Sequence, residues 1–290
     1  MAYVDEEIAT QPECWRRAVE LARVDAMALP RRGHRVAAVG CGTSWFIAQA
    51  YATLREQAGH GETDAFAASQ FPVGRHYDRI LAITRSGTTT EVLDLVRALP
   101  AHTPVTVLVG DPGSPVVTLA SDPVVLDFAD ERSVVQTRFA TTALALLRTH
   151  LDAPVPVTQA EEALAADLPL DPATTEQVSF LGTGWTVGLA HEAALKCREA
   201  ARFWSESYPA MEYRHGPIAI AGPNRGTWML GDPPPGLADQ VAATGATFVN
   251  SRRDALAELV LAQRFAVAVA AHRGLDPDSP AHLTRSVVLR

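Results

Sequence analysis

Short apolar runs alternate with amphipathic stretches along most of the chain. The first sharp example is Arg35-Val36-Ala37-Ala38-Val39. A continuous apolar run of this length, bounded by glycine, reads as a strand buried on both faces. It opens into Gly40-Cys41-Gly42-Thr43-Ser44 and then into the helical period of WFIAQAYATLREQAG. The same order recurs at Arg79-Ile80-Leu81-Ala82-Ile83-Thr84, followed by Arg85-Ser86-Gly87-Thr88-Thr89-Thr90 and EVLDLVRAL. Further strands are predicted at 64–71, 104–110 and 124–128. A polar turn at 131–138 then leads into the apolar helix FATTALALLRTHL. Near the N-terminus, CWRRAVELARVDAMAL reads as a packing helix, with Pro12 suited to its first turn.

The pattern pauses at 152–176, a stretch rich in proline and acid that predicts one short helix between linkers. It then restarts: a strand at 178–181, the turn Gly182-Thr183-Gly184, a helix at 187–204, a polar turn Ser205-Glu206-Ser207, strands at 226–230 and 246–249, and an apolar helix at 260–273. Strand–helix alternation predicts an α/β fold with parallel sheets covered on both faces. Two domains are expected, at 1–155 and 156–290. The second repeats the plan of the first with shorter loops.

Composition narrows the function. A net charge of −8 argues against a nucleic-acid surface. An anionic ligand would need a local site built from loops and helix ends. Cys14, Cys41 and Cys197 are an odd set without CxxC spacing, which suits neither a disulfide framework nor zinc. The acidic start MAYVDEEIATQPE does not resemble a signal peptide, and no run approaches the roughly 18 apolar residues of a membrane span. A cytoplasmic protein with no metal and no organic cofactor is expected.

Two strand–turn–helix loops bear small and hydroxyl residues, at 40–44 and 85–90. One alone could be ordinary capping, with Thr89 or Thr90 as the N-cap. Two of the same design on successive strand ends favour a phosphate site. The second centre of chemistry is EAALKCREAARFWSESYPAMEYRHGP. Glu192, Lys196 and Glu199 are spaced i, i+4, i+7 and share one helix face. Lys196 is the only lysine beside 24 arginines among the 25 basic residues. A lysine amine is a compact donor that can lose its proton, unlike a guanidinium. The bland reading is a solvated ion-pair ladder. The functional one is proton transfer, with His215 adding an imidazole.

These marks together resemble a double sugar-isomerase (SIS) domain protein. The chain is similar to the isomerase half of glutamine–fructose-6-phosphate aminotransferase and to stand-alone phosphosugar isomerases and deaminases. The residues are CGTS at 41–44, SGTT at 86–89, VVQTR at 134–138, EAALKCRE at 192–199, SES at 205–207 and YRHGPIA at 213–219. The resemblance runs from Glu7-Ile8 and Gln11-Pro12 to the tail. It implies two doubly wound, flavodoxin-like three-layer domains. It implies that Cys41, Gly42, Thr43, Ser44, Thr84, Arg85, Ser86, Gly87 and Thr89 form the sugar-phosphate loops, with Gln136 beside them. Glu199 would shuttle a proton between C1 and C2 through an enediol, with Lys196 and Glu192 as charged neighbours. His215 would open the sugar ring from the partner subunit of a homodimer, whose active sites lie at the subunit interface. A glutamine-hydrolysing half is not expected. Arg285 stands where the aminotransferase has an imine-forming lysine, so aldose–ketose isomerisation or deamination of an amino-hexose phosphate is implied. A phosphosugar-binding regulatory protein without turnover is the alternative.

Overall fold

The computed structural model describes residues 2–289. The first half contains α1 (Tyr3–Ala9), α2 (Gln11–Val24), β1 (Val36–Gly40), α3 (Thr43–Gln57), β2 (Thr63–Ala67), β3 (Arg79–Thr84), α4 (Thr90–Ala98), β4 (Val105–Val109), α5 (Pro115–Leu119), β5 (Asp122–Val125) and α6 (Arg138–His150). The second half contains α7 (Val157–Ala165), β6 (Gln177–Gly182), α8 (Thr186–Ala201), β7 (Ser205–Pro209), β8 (Arg225–Leu230), α9 (Leu237–Ala242), β9 (Thr247–Val249) and α10 (Ala255–His272). This is an α/β fold with two parallel sheets flanked by helices.

Two compact units divide the chain, and neither is a single continuous stretch. One holds residues 13–131, 136–155 and the tail from Thr284; the other holds residues up to Pro12, the short segment Arg132–Val135, and Pro156–Leu283. A boundary near 155 therefore does not convey where the two chain ends belong. Glu7 gives the physical reason for one exchange. Its buried carboxylate accepts from the Arg132 amide at 2.6 Å and from the Ser133 amide and hydroxyl, so the segment 132–135 packs with α1.

In the first-sheet unit the strand order is β2-β1-β3-β4-β5, all parallel. Side chains alternate faces along each strand. Ala37, Val39, Ile80, Ala82, Val105, Val107 and Val109 form a core with Val92, Leu93, Leu95 and Val96 of α4 and Val116 of α5. On the opposite side α3 packs on β1, and α6 packs on α3. Both faces are covered, which is why these strands read as apolar runs rather than alternating ones.

In the second-sheet unit the order is β7-β6-β8-β9, again parallel. Leu181 and Met229 pack with Leu237 and Val241 of α9 and with Tyr213. Phe180 stacks on Trp228 at 5.6 Å, and Trp228 meets Phe265 of α10 edge-on at 5.9 Å. The helix α10 is long and apolar enough to cross a membrane, with mean hydropathy 1.4, against the sequence expectation that no run approaches this length. It is instead 72% buried inside the protein, where it packs on α7 and α8.

Several predicted elements need correction. Ser205-Glu206-Ser207 is not a turn but the start of edge strand β7, paired with β6 from Val178↔Ser205 to Gly182↔Pro209. Its polar residues hide it, because an edge strand pairs on one side only. The helix predicted to reach 204 stops at Ala201. Arg202 takes a left-handed conformation (φ 48°), and the Phe203 amide bonds back to the Cys197 carbonyl, a six-residue closure that ends the helix. The short helices α1, α5 and α9 carry too little period to show in the sequence.

Candidate functional site

The loop that follows β3 in the first-sheet unit is held in shape by its own hydroxyls. Thr84 Oγ1 accepts from the Gly87 amide at 3.3 Å, and Ser86 Oγ accepts from the Thr88 amide at 3.3 Å and from Thr88 Oγ1 at 3.0 Å. Ser86 Oγ therefore accepts twice, and its own proton is left to donate outward. Gly87 has φ 62°, and a Cβ there would lie 2.0 Å from Ser114 Oγ, so only glycine fits this turn. Thr89 occupies the N-cap position of α4, yet its hydroxyl makes no capping bond. The ordinary capping reading of this loop thus fails for the residue best placed to satisfy it.

The companion loop after β1 places Thr43 and Ser44 in the first turn of α3, both buried, with Gly42 at φ 54° before them. Cys41 is half-buried, and burial, with Glu91 adding a smaller push, raises its thiol pKa to about 11. It stands here as a protonated thiol, a small lining group rather than a nucleophile.

Arg85 is buried at the centre of a charged network that the sequence reading only partly anticipated. Its Nη1 lies 3.7 Å from Glu131 Oε2, and its Nη2 donates to the Arg285 carbonyl at 3.0 Å. Glu131 also accepts from the Thr137 amide at 2.6 Å and the Arg138 amide at 2.8 Å, so one carboxylate caps α6 and meets Arg85. Arg285 itself pairs with Asp130 at 2.5 Å and donates to the Glu131 carbonyl. Beyond it the tail runs along the β3 loop. Ser286 Oγ sits 2.9 Å from Thr88 Oγ1, the Thr90 amide bonds to the Val287 carbonyl, and the Leu289 amide bonds to Thr90 Oγ1. Glu131 lay within a turn already singled out, but Asp130 and Ser286 gave no signal of their own. Gln136, in the same unit, has a buried side-chain oxygen with no hydrogen-bond partner among the described residues. An orphaned buried acceptor is costly unless something outside the chain satisfies it.

The second-sheet unit carries the charged helix face. On α8, Lys196 Nζ lies 3.3 Å from Glu192 Oε1 and 2.5 Å from Glu199 Oε2. The Glu192 and Lys196 side chains are 0% and 1% exposed, while Glu199 retains 20%. This is not a solvated ladder. A buried ion pair rarely stabilises a fold more than apolar packing would. Here three charges persist on a helix otherwise set in Ala193, Ala194, Cys197 and Ala200, all buried. The arrangement leaves one carboxylate, Glu199, at the open end of a fixed amine. Earlier on the same helix, His191 Nδ1 meets Ser207 Oγ at 2.9 Å, and burial, with Arg198 adding to it, lowers the His191 pKa. His215 closes a 3₁₀ turn, Glu212–His215, and is exposed with no hydrogen bond or ion pair among the described residues. The sequence-predicted residues are therefore distributed between the units. Glu192, Lys196, Glu199 and His215 belong to the second-sheet unit. The loop residues 41–44 and 84–89, Gln136 and Arg285 belong to the first.

No protein-family profile matches the chain. It is similar to the isomerizing glutamine–fructose-6-phosphate aminotransferase of Methanothermobacter thermautotrophicus, 27% identical over 306 residues, covering 88% of this chain and 52% of that protein. The chain spans about half the length of the curated relatives it first matches. In fold it superposes on the glucosamine-6-phosphate deaminase of Thermotoga maritima with a TM-score of 0.83, at 23% identity, over 99% of this chain and 100% of that one. The tagatose-6-phosphate ketose/aldose isomerase of Escherichia coli gives a TM-score of 0.75 at 18% identity, over 100% and 97%. In sequence and fold alike, then, the chain resembles the sugar-isomerase proteins, among them the isomerase half of glutamine–fructose-6-phosphate aminotransferase.

Proposed function

We propose that this chain is a phosphosugar isomerase built from two SIS domains, interconverting the aldose and ketose forms of a hexose or amino-hexose 6-phosphate. The observation that carries the reading is the buried Glu192–Lys196 pair with Glu199 held at 2.5 Å from the same amine. Glu199 takes the proton from the carbon next to the carbonyl, giving the enediol as its enediolate; the hydroxyl proton passes from one substrate oxygen to the other, and Glu199 returns its proton to the neighbouring carbon. Lys196 stabilises the negative charge that develops on the substrate oxygens, and Glu192 holds the amine in place. His215 assists ring opening. The Ser86, Thr88 and Thr89 loop, with Thr43 and Ser44, binds the 6-phosphate. With an amino sugar, the same proton transfer converts the enolamine into a ketimine. Water then adds at C2, a proton passes from the added oxygen to the nitrogen, and ammonia leaves to give the ketose.

The comparisons support this class of substrate, since the relatives and fold neighbours named above act on phosphosugars. One observation favours a second reading, a phosphosugar-binding protein without turnover. Arg285 is tied to Asp130, and an arginine there cannot form an imine. Proton exchange separates the two readings. Fructose 6-phosphate and glucosamine 6-phosphate are incubated with the chain in heavy water. Deuterium entry at C1 or C2 and ammonia release are followed by NMR. Exchange is expected, and Glu199→Gln should slow it by about a hundred- to ten-thousand-fold while binding survives. Exchange at the parental rate in that variant would move the base elsewhere. Binding without exchange in the parent would leave the second reading standing.

A further inference from the structure

The strands of the second sheet follow the same spatial order as the first four of the other sheet, 2-1-3-4 in their own sequence. In both, the chain leaves the first strand to one side and later returns to the other. The crevice at the carboxyl ends of the two central strands is where open α/β sheets take ligands. In the second sheet these strands are β6 and β8. A cleft of about 380 Å³ opens there, lined by Thr183, Trp185, Asp232, Arg252, Arg253 and their neighbours. That volume suits a small metabolite.

The lining has its own chemistry. Arg253 is held on the wall by Glu258 at 3.5 Å. Glu258 is 1% exposed and is itself fixed by Trp228 Nε1 at 2.7 Å and by Ser251 Oγ. This guanidinium is anchored from below by a buried carboxylate. Arg252 and Asp232 are exposed at the cleft and have no hydrogen-bond or ion-pair partner among the described residues. Asp254, also in the lining, is already committed as the N-cap of α10, accepting from the Leu256 amide at 2.9 Å. The cleft therefore offers one fixed cation, one free cation, one free carboxylate and an indole. Arginines bind phosphate, carboxylates bind sugar hydroxyls or an amine, and an aromatic face packs on a sugar ring.

We propose that this cleft is a second binding site, for a phosphorylated sugar in ring form. Arg252 and Arg253 take the phosphate, Asp232 the hydroxyls, and Trp185 packs on the ring. It differs from the hydroxyl-rich loops of the first sheet: the turn after β8, Gly231-Asp232-Pro233-Pro234-Pro235, has no hydroxyl, and of the two lining hydroxyls that of Thr186 is engaged with the Thr183 amide and the Thr183 and Leu230 carbonyls, which leaves Thr183. It also has no counterpart of the Glu192–Lys196–Glu199 set in its lining, so it binds and does not convert. The proposal stands whether or not the chain turns over a phosphosugar.

The test uses methyl α-glucopyranoside 6-phosphate, whose locked ring cannot isomerise, titrated calorimetrically into the whole chain. Where the first-sheet loops also take the 6-phosphate, the parent shows two binding events; one event is expected to survive in the Ser86→Ala/Thr89→Ala variant with the affinity it has in the parent. Arg252→Asn and Asp232→Asn should each weaken it at least about tenfold. Arg252 has φ 60°, a conformation asparagine tolerates, so this variant should melt with the parent. Inorganic phosphate should bind more weakly than the sugar phosphate. The proposal is overturned if the parent shows no binding at millimolar ligand. It is equally overturned if both cleft variants bind as the parent does, or if the Ser86→Ala/Thr89→Ala change alone removes binding. Equal affinity for bare phosphate would reduce the cleft to an anion site and overturn the sugar assignment.

Discussion

At the scale of single residues, what each group is bonded to decides what it can do. Ser86 and Thr89 are the clearest case. Ser86 Oγ has filled its acceptor role and keeps a proton to give, and Thr89 leaves the cap bond unmade. In the function proposed above, these groups bind the phosphate equally in ground and transition state. Ser86→Ala/Thr89→Ala should therefore raise KM for a 6-phosphate by more than tenfold with kcat changed about twofold or less. Equal KM values in steady-state assays would remove the loop from substrate binding. His191 allows a prediction about pH. Its pKa is lowered by burial and then by Arg198. Below the unfolded value of about 6.5 the unfolded chain takes up a proton that the folded chain refuses. The stability tied to neutral His191 is present above that pH and is lost as the pH falls toward the lowered folded value. His60 is shifted the same way, so the difference between parent and variant isolates His191. Between about pH 7.5 and 5.5, the urea midpoint of His191→Gln should drop less than that of the parent. Equal drops would show that His191 titrates as it does in the unfolded chain.

At the scale of elements, the strands buried on both faces and the long helices were legible, because periodicity and glycine punctuation mark them. Edge strand β7 was not, since Ser205, Glu206 and Ser207 are polar and its identity lies in its pairing with β6. The helix face of Glu192, Lys196 and Glu199 was legible as a spacing, but its burial was not. Only packing could turn a possible surface ladder into a desolvated charge set. The placement of the tail was the least legible feature. Nothing within 284–289 announces that Arg285 meets Asp130, or that Val287 and Leu289 bond to Thr90. Those contacts make the tail a strap along the β3 loop. The Arg285 and Asp130 side chains are 36% and 33% exposed, so solvent screens their pair to about 1 kcal/mol or less. Asp130→Asn should accordingly lower Tm by no more than about 4 °C. Hydrogen exchange at the Thr90 and Leu289 amides should rise by up to about fivefold, the same energy expressed as local opening. Unchanged exchange at both amides would mean the ion pair does not hold the strap.

At the scale of the whole molecule, the chain is two sheets that share a strand order over four strands and carry different side chains. One carries the hydroxyl loops, the other the buried charges and the exposed histidine. The resemblance named above implies that His215 serves the site of a second subunit, and its exposure at the end of a 3₁₀ turn suits a residue that serves outside its own chain. We therefore expect a homodimer with two-fold symmetry, in which each site takes Glu199 from one chain and His215 from the other. Glu199→Gln and His215→Asn are each expected to be nearly inactive alone. Mixed in equal amounts and allowed to exchange subunits, half the dimers should be mixed. Each mixed dimer then has one site with both defects and one site with neither, so about a quarter of parental activity should return. If both groups came from the same chain, every site in a mixed dimer would keep one defect and nothing would return. Native mass spectrometry of the mixture shows whether heterodimers have formed. Heterodimers without recovered activity would place Glu199 and His215 in one chain's site and remove the reason for a shared one.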